Sequence, residues 1–380
     1  MVRRFFYPCL FALLFSLVFI FVLYAEGNNE EIQVRTGTHR EEPAPAPFLP
    51  VPEERRIPEL PEIRFPAQFP EPDPVQITLP PELPETETGP LFAVIPSRVR
   101  PGDPVTIAYT DDFSGPGARD FHVVLINSQG RSIARASLFS YTLTQSGQEV
   151  KTAVLAVPCG AGTGSYLLRI EAGSRTIMDL PLAVDKRDFI YEEIDLDQEN
   201  TDLRTVPDPQ KTAESETLWA VLSRSGTEIF DGRRFITPVA STRRTSFFGD
   251  SRLFRYIDNT TDSTVHAGID FGVPTGTQVW SCAGGRVVMA RFRIVTGNSV
   301  VLEHLPGLYS LYYHMDNIVV KEGDIILAGV LLGFSGSTGL ATGPHLHWEI
   351  RAATEFADPD AFIARAVLDK DEILSNLRRY

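Results

Sequence analysis

Five of the seven histidines in this 380-residue chain, His266, His304, His314, His345 and His347, fall within an 82-residue window. Imidazoles at that density point to metal ligation or proton transfer, because a neutral ring offers a lone pair and the group titrates near neutral pH. The most specific local feature is His345-Leu346-His347, within Gly343-Pro344-His345-Leu346-His347-Trp348-Glu349-Ile350. In a strand, residues two apart face the same way at about 6.6 Å, so both rings reach one small volume while Leu346, Trp348 and Ile350 pack behind. Glu349 lies on the histidine face and can either orient an imidazole or close a salt bridge at the strand end. Two histidines are too few for a tightly held zinc ion, which takes three protein ligands when a fourth position is left open for catalysis. Val265-His266-Ala267-Gly268-Ile269-Asp270 supplies two more candidates, His266 and Asp270. Four residues of straight strand span about 13 Å, so this segment must bend if both are to share an ion, and Gly268 is the residue that permits it. Alternation of Val265, Ala267, Ile269 and Phe271 argues against a helix, and the helical signature His-Glu-x-x-His is absent.

The order His266-x-x-x-Asp270, Leu311-Tyr312-Tyr313-His314, then Gly343-Pro344-His345-Leu346-His347-Trp348-Glu349 resembles the LytM or lysostaphin type of zinc peptidase, peptidase family M23. Ser246-Phe247-Phe248-Gly249, Pro274-Thr275-Gly276-Thr277, Gly284-Gly285, Gly297-Asn298-Ser299-Val300-Val301, Glu322-Gly323-Asp324 and Gly336-Ser337-Thr338-Gly339 fall where that family places similar residues. The resemblance covers residues 238–358. It implies a zinc endopeptidase (Zn2+ cofactor) that hydrolyses peptide cross-links of bacterial peptidoglycan by attack of a zinc-activated water. It assigns His266, Asp270 and His347 as metal ligands and His314 and His345 as catalytic residues, with stem peptides as substrate. Where many relatives have a glycine after the corresponding histidine, this chain has His304-Leu305, and His304 reads as structural. A second reading is a regulator of the same fold that binds and activates another wall hydrolase, but such members lack part of the His/Asp/His set. A structural zinc site in an envelope adhesin is disfavoured because such sites close all four positions with protein ligands.

These residues need elements to hold them, and the chain divides by composition into regions that do so and regions that do not. Residues 1–25 carry Arg3 and Arg4 and then an apolar run over 5–24, which reads as a signal peptide or as a membrane anchor. Residues 26–90 hold 15 prolines between Pro43 and Pro90 and a net charge of −9, from 14 acidic and 5 basic residues. That composition predicts a disordered, extended linker that would span up to roughly 200 Å. Residues 91–186 change to period two, with Val105, Ile107 and Tyr109 as a half-buried strand and turn signals between strands, as in an immunoglobulin-like β-sandwich. Residues 187–237 form a connector in which Asp208 caps a helix through Leu218, Trp219 and Leu222. Residues 238–358 are strand-rich again, and a C-terminal helix is expected over 359–380, capped by Asp358. The fold class is therefore mainly β, with the peptidase-type domain last.

A formal charge of −14 removes the basic footprint that nucleic acid binding needs. Cys159 and Cys282 lie in different regions and read as free thiols. Export fits a substrate outside the cytoplasmic membrane, so the expected location is the periplasm or cell envelope, with the inner membrane and an envelope protein docked on the β-domain as further partners. Every candidate site residue follows Thr237, so a fragment from about Asp231 to Tyr380 is expected to fold and act by itself.

Overall fold

The computed structural model describes residues 90–110, 121–143, 147–224 and 226–379. The expectations for 1–25 and for 26–89 fall outside them. Among the described residues no helix is long and apolar enough to cross a membrane.

The first half is a β-sandwich. One five-stranded sheet runs in the order Arg378–Arg379, Leu91–Ile95, Pro104–Thr110, Glu149–Ala156, Phe139–Thr142; the other runs Arg98–Val99, Arg175–Val184, Gly164–Ala172, Phe121–Ile126, Ser132–Ser137. Between them lies a core that includes Val105, Ile107, Val123, Leu125, Leu155, Leu168 and Leu180. The strand Pro104–Thr110 is buried on both faces rather than one. Its second face is covered by the C-terminal half of the chain: Ala93, Ile95, Ala108, Val154 and Ala156 share a core with Phe235, Phe248, Phe362, Val367 and Leu368. Thr106, which reads as a solvent-facing position, instead donates from Oγ1 to the Val367 carbonyl at 2.7 Å. Arg187 ties the halves further, with ion pairs to Asp358 at 2.6 Å and Asp103 at 3.4 Å.

The connector contributes more than a tether. Its strand Tyr191–Asp195 pairs in parallel with Ser251–Arg255, which pairs in turn with Thr261–Val265. The helix Pro209–Leu222 starts where expected, with Asp208 accepting from the Gln210 amide at 2.7 Å. Leu218 and Leu222 pack on Met289, Val301, Tyr309, Leu311 and Tyr313. Trp219 points outward and is about half exposed.

The last domain is built on an antiparallel path of strands in the order Arg244–Ser246, Gly268–Phe271, Leu346–Ala352, Leu308–Ile318, Gly297–Leu305, Gly285–Arg293, Ile325–Ile326. The strand Leu346–Ala352 is central and buried along its whole length, which is why the apolar residues Leu346, Trp348 and Ile350 that alternate with His347 and Glu349 are large. The single helix expected over 359–380 is instead two, Pro359–Ala364 and Lys370–Asn376. Asp358 caps the first as expected, accepting from the Asp360 amide. The chain leaves helical geometry because the Val367 and Leu368 amides donate to the Gly232 carbonyl, burying both side chains, and Asp369 then caps a fresh start. Cys159 and Cys282 are free thiols.

Candidate metal centre and active site

The site forms where two sheets meet. Thr261–Val265 belongs to the three-stranded sheet and Gly268–Phe271 to the large one, so the chain turns at His266–Ala267. The bend expected from the spacing is present, but one residue ahead of Gly268. The glycine serves a different purpose: a Cβ there would lie 2.2 Å from the Trp348 carbonyl oxygen, so its absence lets the strand close on Leu346–Ala352. That pairing puts Asp270 directly opposite His347. His266 is fixed by its own backbone, its N–H donating to the Asp250 carbonyl and its carbonyl accepting from Gly249 N–H, both at 2.8 Å.

Three side-chain atoms converge. His266 Nε2 lies 3.0 Å from Asp270 Oδ1 and 3.0 Å from His347 Nδ1, and His347 Nδ1 lies 2.8 Å from Asp270 Oδ1. Their tautomers follow from the far side of each ring. His266 Nδ1–H donates to the Phe247 carbonyl at 2.8 Å, which leaves the lone pair on Nε2. His347 Nε2 faces Glu349 Oε2 at 3.4 Å, which in the neutral ring leaves the lone pair on Nδ1. Lone pairs on two nitrogens and a carboxylate oxygen, all buried and aimed at one point, repel one another unless a cation lies between them. The two-nitrogen, one-oxygen donor set suits zinc, so the residues fit the metal that the sequence implies. Among the described residues these three form the one such group.

The charges around the group are consistent with that fit. Burial opposes ionisation of Asp270, yet the charge and hydrogen bonds of His266 and His347 hold its carboxyl well below the usual range. Burial lowers His266. Burial also disfavours a charged His347, but the hydrogen bonds its ring donates to the flanking carboxylates Asp270 and Glu349, and their charge, outweigh it and raise the ring to about 9. A proton there balances the two anions, and a divalent cation would take its place. Glu349, buried, is hydrogen-bonded and ion-paired to Arg351, whose guanidinium stacks 3.6 Å over Phe356. Both readings of Glu349 therefore hold at once: it orients His347 and it forms a salt bridge.

Two more imidazoles flank the group. His345 faces the same way as His347, with Nε2 3.9 Å from Asp270 Oδ1 and Nδ1–H donating to the Gly343 carbonyl at 2.8 Å. The His314 ring centre is 4.7 Å from that of His345. Its neighbour Tyr313 is paired with His347 and stacks on that ring at 5.4 Å. In a regular strand the next residue would point to the opposite face; a positive φ of 59° at His314 turns its ring toward the site instead. The conformation is held by the His314 N–H bonded to the Thr296 carbonyl and Nδ1–H bonded to the Thr338 carbonyl. Thr338 comes close enough because Gly297 has no side chain: a Cβ there would meet Thr338 Oγ1 at 2.1 Å. Burial and the nearby His345 and His347 lower His314 to about 3, so it is neutral, with an accepting Nε2.

All five site residues expected from the sequence thus meet in one place, and His304 does not. It is fully buried, with Nδ1 2.7 Å from the Gly284 carbonyl, Nε2 2.7 Å from Ser310 Oγ and its ring against Phe235. Sequence reasoning missed Arg252, which pairs with Asp270 Oδ2 at 2.7 Å, and the ring of Tyr313. Tyr313 stood in the quoted Leu311-Tyr312-Tyr313-His314 run, where period two puts it on the opposite face from His314. Arg252 left no spacing signal.

Residues 264–359 match the model of peptidase family M23. This segment is an M23 peptidase domain. Two of the curated relatives are similar to part of the chain. The peptidoglycan DD-endopeptidase ShyA of Vibrio cholerae is 44% identical over 85 residues, 22% of this chain and 20% of that protein. The DD-carboxypeptidase/endopeptidase Mpg of Neisseria meningitidis serogroup B is 36% identical over 124 residues, 33% of this chain and 28% of that protein. The chain thus spans less than a third of the length of either. A solved structure of a putative peptidase M23 from Pseudomonas aeruginosa superposes with a TM-score of 0.47 at 23% identity, over 70% of this chain and 94% of that one. The M23 segment holds His266, Asp270, His314, His345 and His347, while Arg252 and the connector lie before it.

Proposed function

We propose that this protein is an exported zinc endopeptidase that hydrolyses peptide cross-links of bacterial peptidoglycan. The observation that carries the reading is the convergence of His266 Nε2, Asp270 Oδ1 and His347 Nδ1 within 3.0 Å of one another, with two further imidazoles beside them. The names of the aligned relatives, DD-endopeptidase and DD-carboxypeptidase/endopeptidase, support the substrate class. Zinc held by those three atoms would supply Lewis acidity, lowering the pKa of a water toward neutrality for attack on an amide carbon.

The rest of the chemistry belongs to the protein. His345 and His314 each spend Nδ1–H on a backbone carbonyl, so each presents Nε2 to the reacting group. An imidazole so fixed can take a proton from the attacking water and return it to the departing amine. Glu349 and Arg351 hold His347 in register, and Tyr313 limits its ring rotation. The envelope location rests on the apolar run over residues 5–24, with the proline-rich stretch giving reach from the membrane to the wall.

Defined peptidoglycan fragments incubated with the purified chain, with products identified by mass and a chelator control, test the reading. Cleavage of a stem-peptide cross-link that stops with chelator and returns with zinc supports it. Absence of cleavage together with stimulation of another hydrolase would replace it with the regulator. Cell fractionation tests the location.

A further inference from the structure

Asp270 presents one oxygen to the metal group and is held by the other. Its Oδ2 receives the Arg252 guanidinium at 2.7 Å, while Oδ1 alone faces His266 and His347. Arg252 is held in turn: its Nε donates to Glu192 Oε2 at 3.3 Å, and the same carboxylate accepts from Ser246 Oγ at 3.2 Å. Glu192 and Arg252 are register partners in the parallel pairing of Tyr191–Asp195 with Ser251–Arg255. Both side chains are largely buried, 15% and 27% exposed for Arg252 and Glu192. Neither residue lies in the matched M23 segment, and Glu192 comes from the connector.

We propose that Arg252 and Glu192 are positioning residues of the metal centre: Arg252 holds Asp270 so that one oxygen serves as the donor, and Glu192 balances the guanidinium so that this donor keeps its full negative charge. The inference rests on the zinc reading above and adds to it. Two physical requirements lead to the pair. A carboxylate beside two imidazoles can rotate and offer either or both oxygens, so a single presented oxygen needs its twin occupied, and a charge-assisted bond of 2.7 Å does this. An uncompensated cation in contact with a ligand would, however, repel a divalent metal and draw charge from the donor. A carboxylate on the far side of the guanidinium removes that cost, and Glu192 occupies that position. Outer partners of this kind set metal affinity by about 10–100-fold.

The test uses the full chain and the metals alone. Zinc affinity is measured by competition with a chromophoric chelator, and the visible spectrum of the cobalt(II)-loaded protein reports the ligand field directly. Arg252→Gln should weaken zinc by about 10–100-fold and change the cobalt spectrum, with Arg252→Lys recovering part of the loss. Glu192→Gln should weaken zinc in the wild-type background and have no further effect in the Arg252→Gln background, since its role is exercised through Arg252. Wild-type affinity and an unchanged spectrum in Arg252→Gln and Glu192→Gln overturn the proposal, as do a lysine no better than glutamine and independent, additive effects of the two changes. Melting temperatures of the metal-free variants separate loss of fold from loss of positioning; Glu192→Gln and Arg252→Lys keep the test decisive if Arg252→Gln fails to fold. Failure of the zinc reading itself looks different: the wild type would hold less than one zinc, or Asp270→Ala would hold as much as the wild type.

Discussion

On the proposed zinc reading His266, Asp270 and His347 would each supply one third of a ligand set, so removing any one would leave two donors, too few for tight zinc. His266→Ala, Asp270→Ala and His347→Ala should each fall below stoichiometric zinc after dialysis; full zinc in two of the three would remove the assignment. His314→Ala and His345→Ala should keep the metal and lose about 10² to 10⁴-fold in turnover, the scale of a positioned acid or base. Wild-type rates in both would leave them without a catalytic role. His304 behaves oppositely to a site residue. Burial lowers it to about 4, so the folded ring stays neutral while an unfolded one protonates near 6.5. Its contribution to stability is therefore complete above pH 6.5 and is lost as the pH falls from there to about 4, by about 3 kcal/mol. Denaturant unfolding of metal-free wild type and His304→Gln at pH 7 and pH 4.5 should show a steeper loss for the wild type, and parallel losses would refute it. The four candidates His266, Asp270, His345 and His347 were legible because an i, i+2 pair in a strand and an i, i+4 pair around a bend each constrain geometry locally, while the choice of His347 over His345 as ligand came from the family resemblance. Arg252 was not, because its link to Asp270 crosses two sheets and rests on a pairing with residue 192 that no local pattern encodes.

At the scale of elements, the alternation of period two gave the strands, and Asp208 and Asp358 gave two helix starts. The break after Ala364 was hidden because the amides that end the helix bond to Gly232, more than 130 positions away. Glycines were legible as positions and less so as causes. Gly268 is required by strand approach and not by the turn beside it. Gly268→Ala would push a methyl into the Trp348 carbonyl, and the two strands that place Asp270 opposite His347 must separate. We expect a loss of a few kcal/mol in stability, in the range of severe strain substitutions, together with weakened zinc binding. A variant with unchanged melting temperature and zinc affinity would show that the strands have room the structure does not indicate.

Across the whole molecule, the shared cores argue against the expected independence of the last domain. Its site residues all follow Thr237, and of its neighbours only the connector helix was legible in the sequence, the sandwich sheet not. Phe248, Phe362, Val367 and Leu368 pack against the sandwich sheet, while Met289, Val301, Leu311 and Tyr313 pack under the connector helix. Arg378–Arg379 form the edge strand of that same sandwich sheet. A fragment over 231–380 would expose these apolar faces, at about 1.5–3 kcal/mol for each large side chain uncovered, which exceeds the whole stability of an ordinary domain when several are uncovered together. It would also lack Glu192. We therefore expect the 231–380 fragment to aggregate or melt well below the full chain and to bind zinc weakly, whereas a fragment over 90–380 should match the full chain in melting temperature and zinc content. Size-exclusion chromatography, thermal unfolding and zinc titration of the two fragments beside the full chain decide it. A monomeric, cooperative 231–380 fragment with full zinc affinity would mean that the shared core is a docking surface between two self-sufficient domains, and that the sandwich and connector do not build the site.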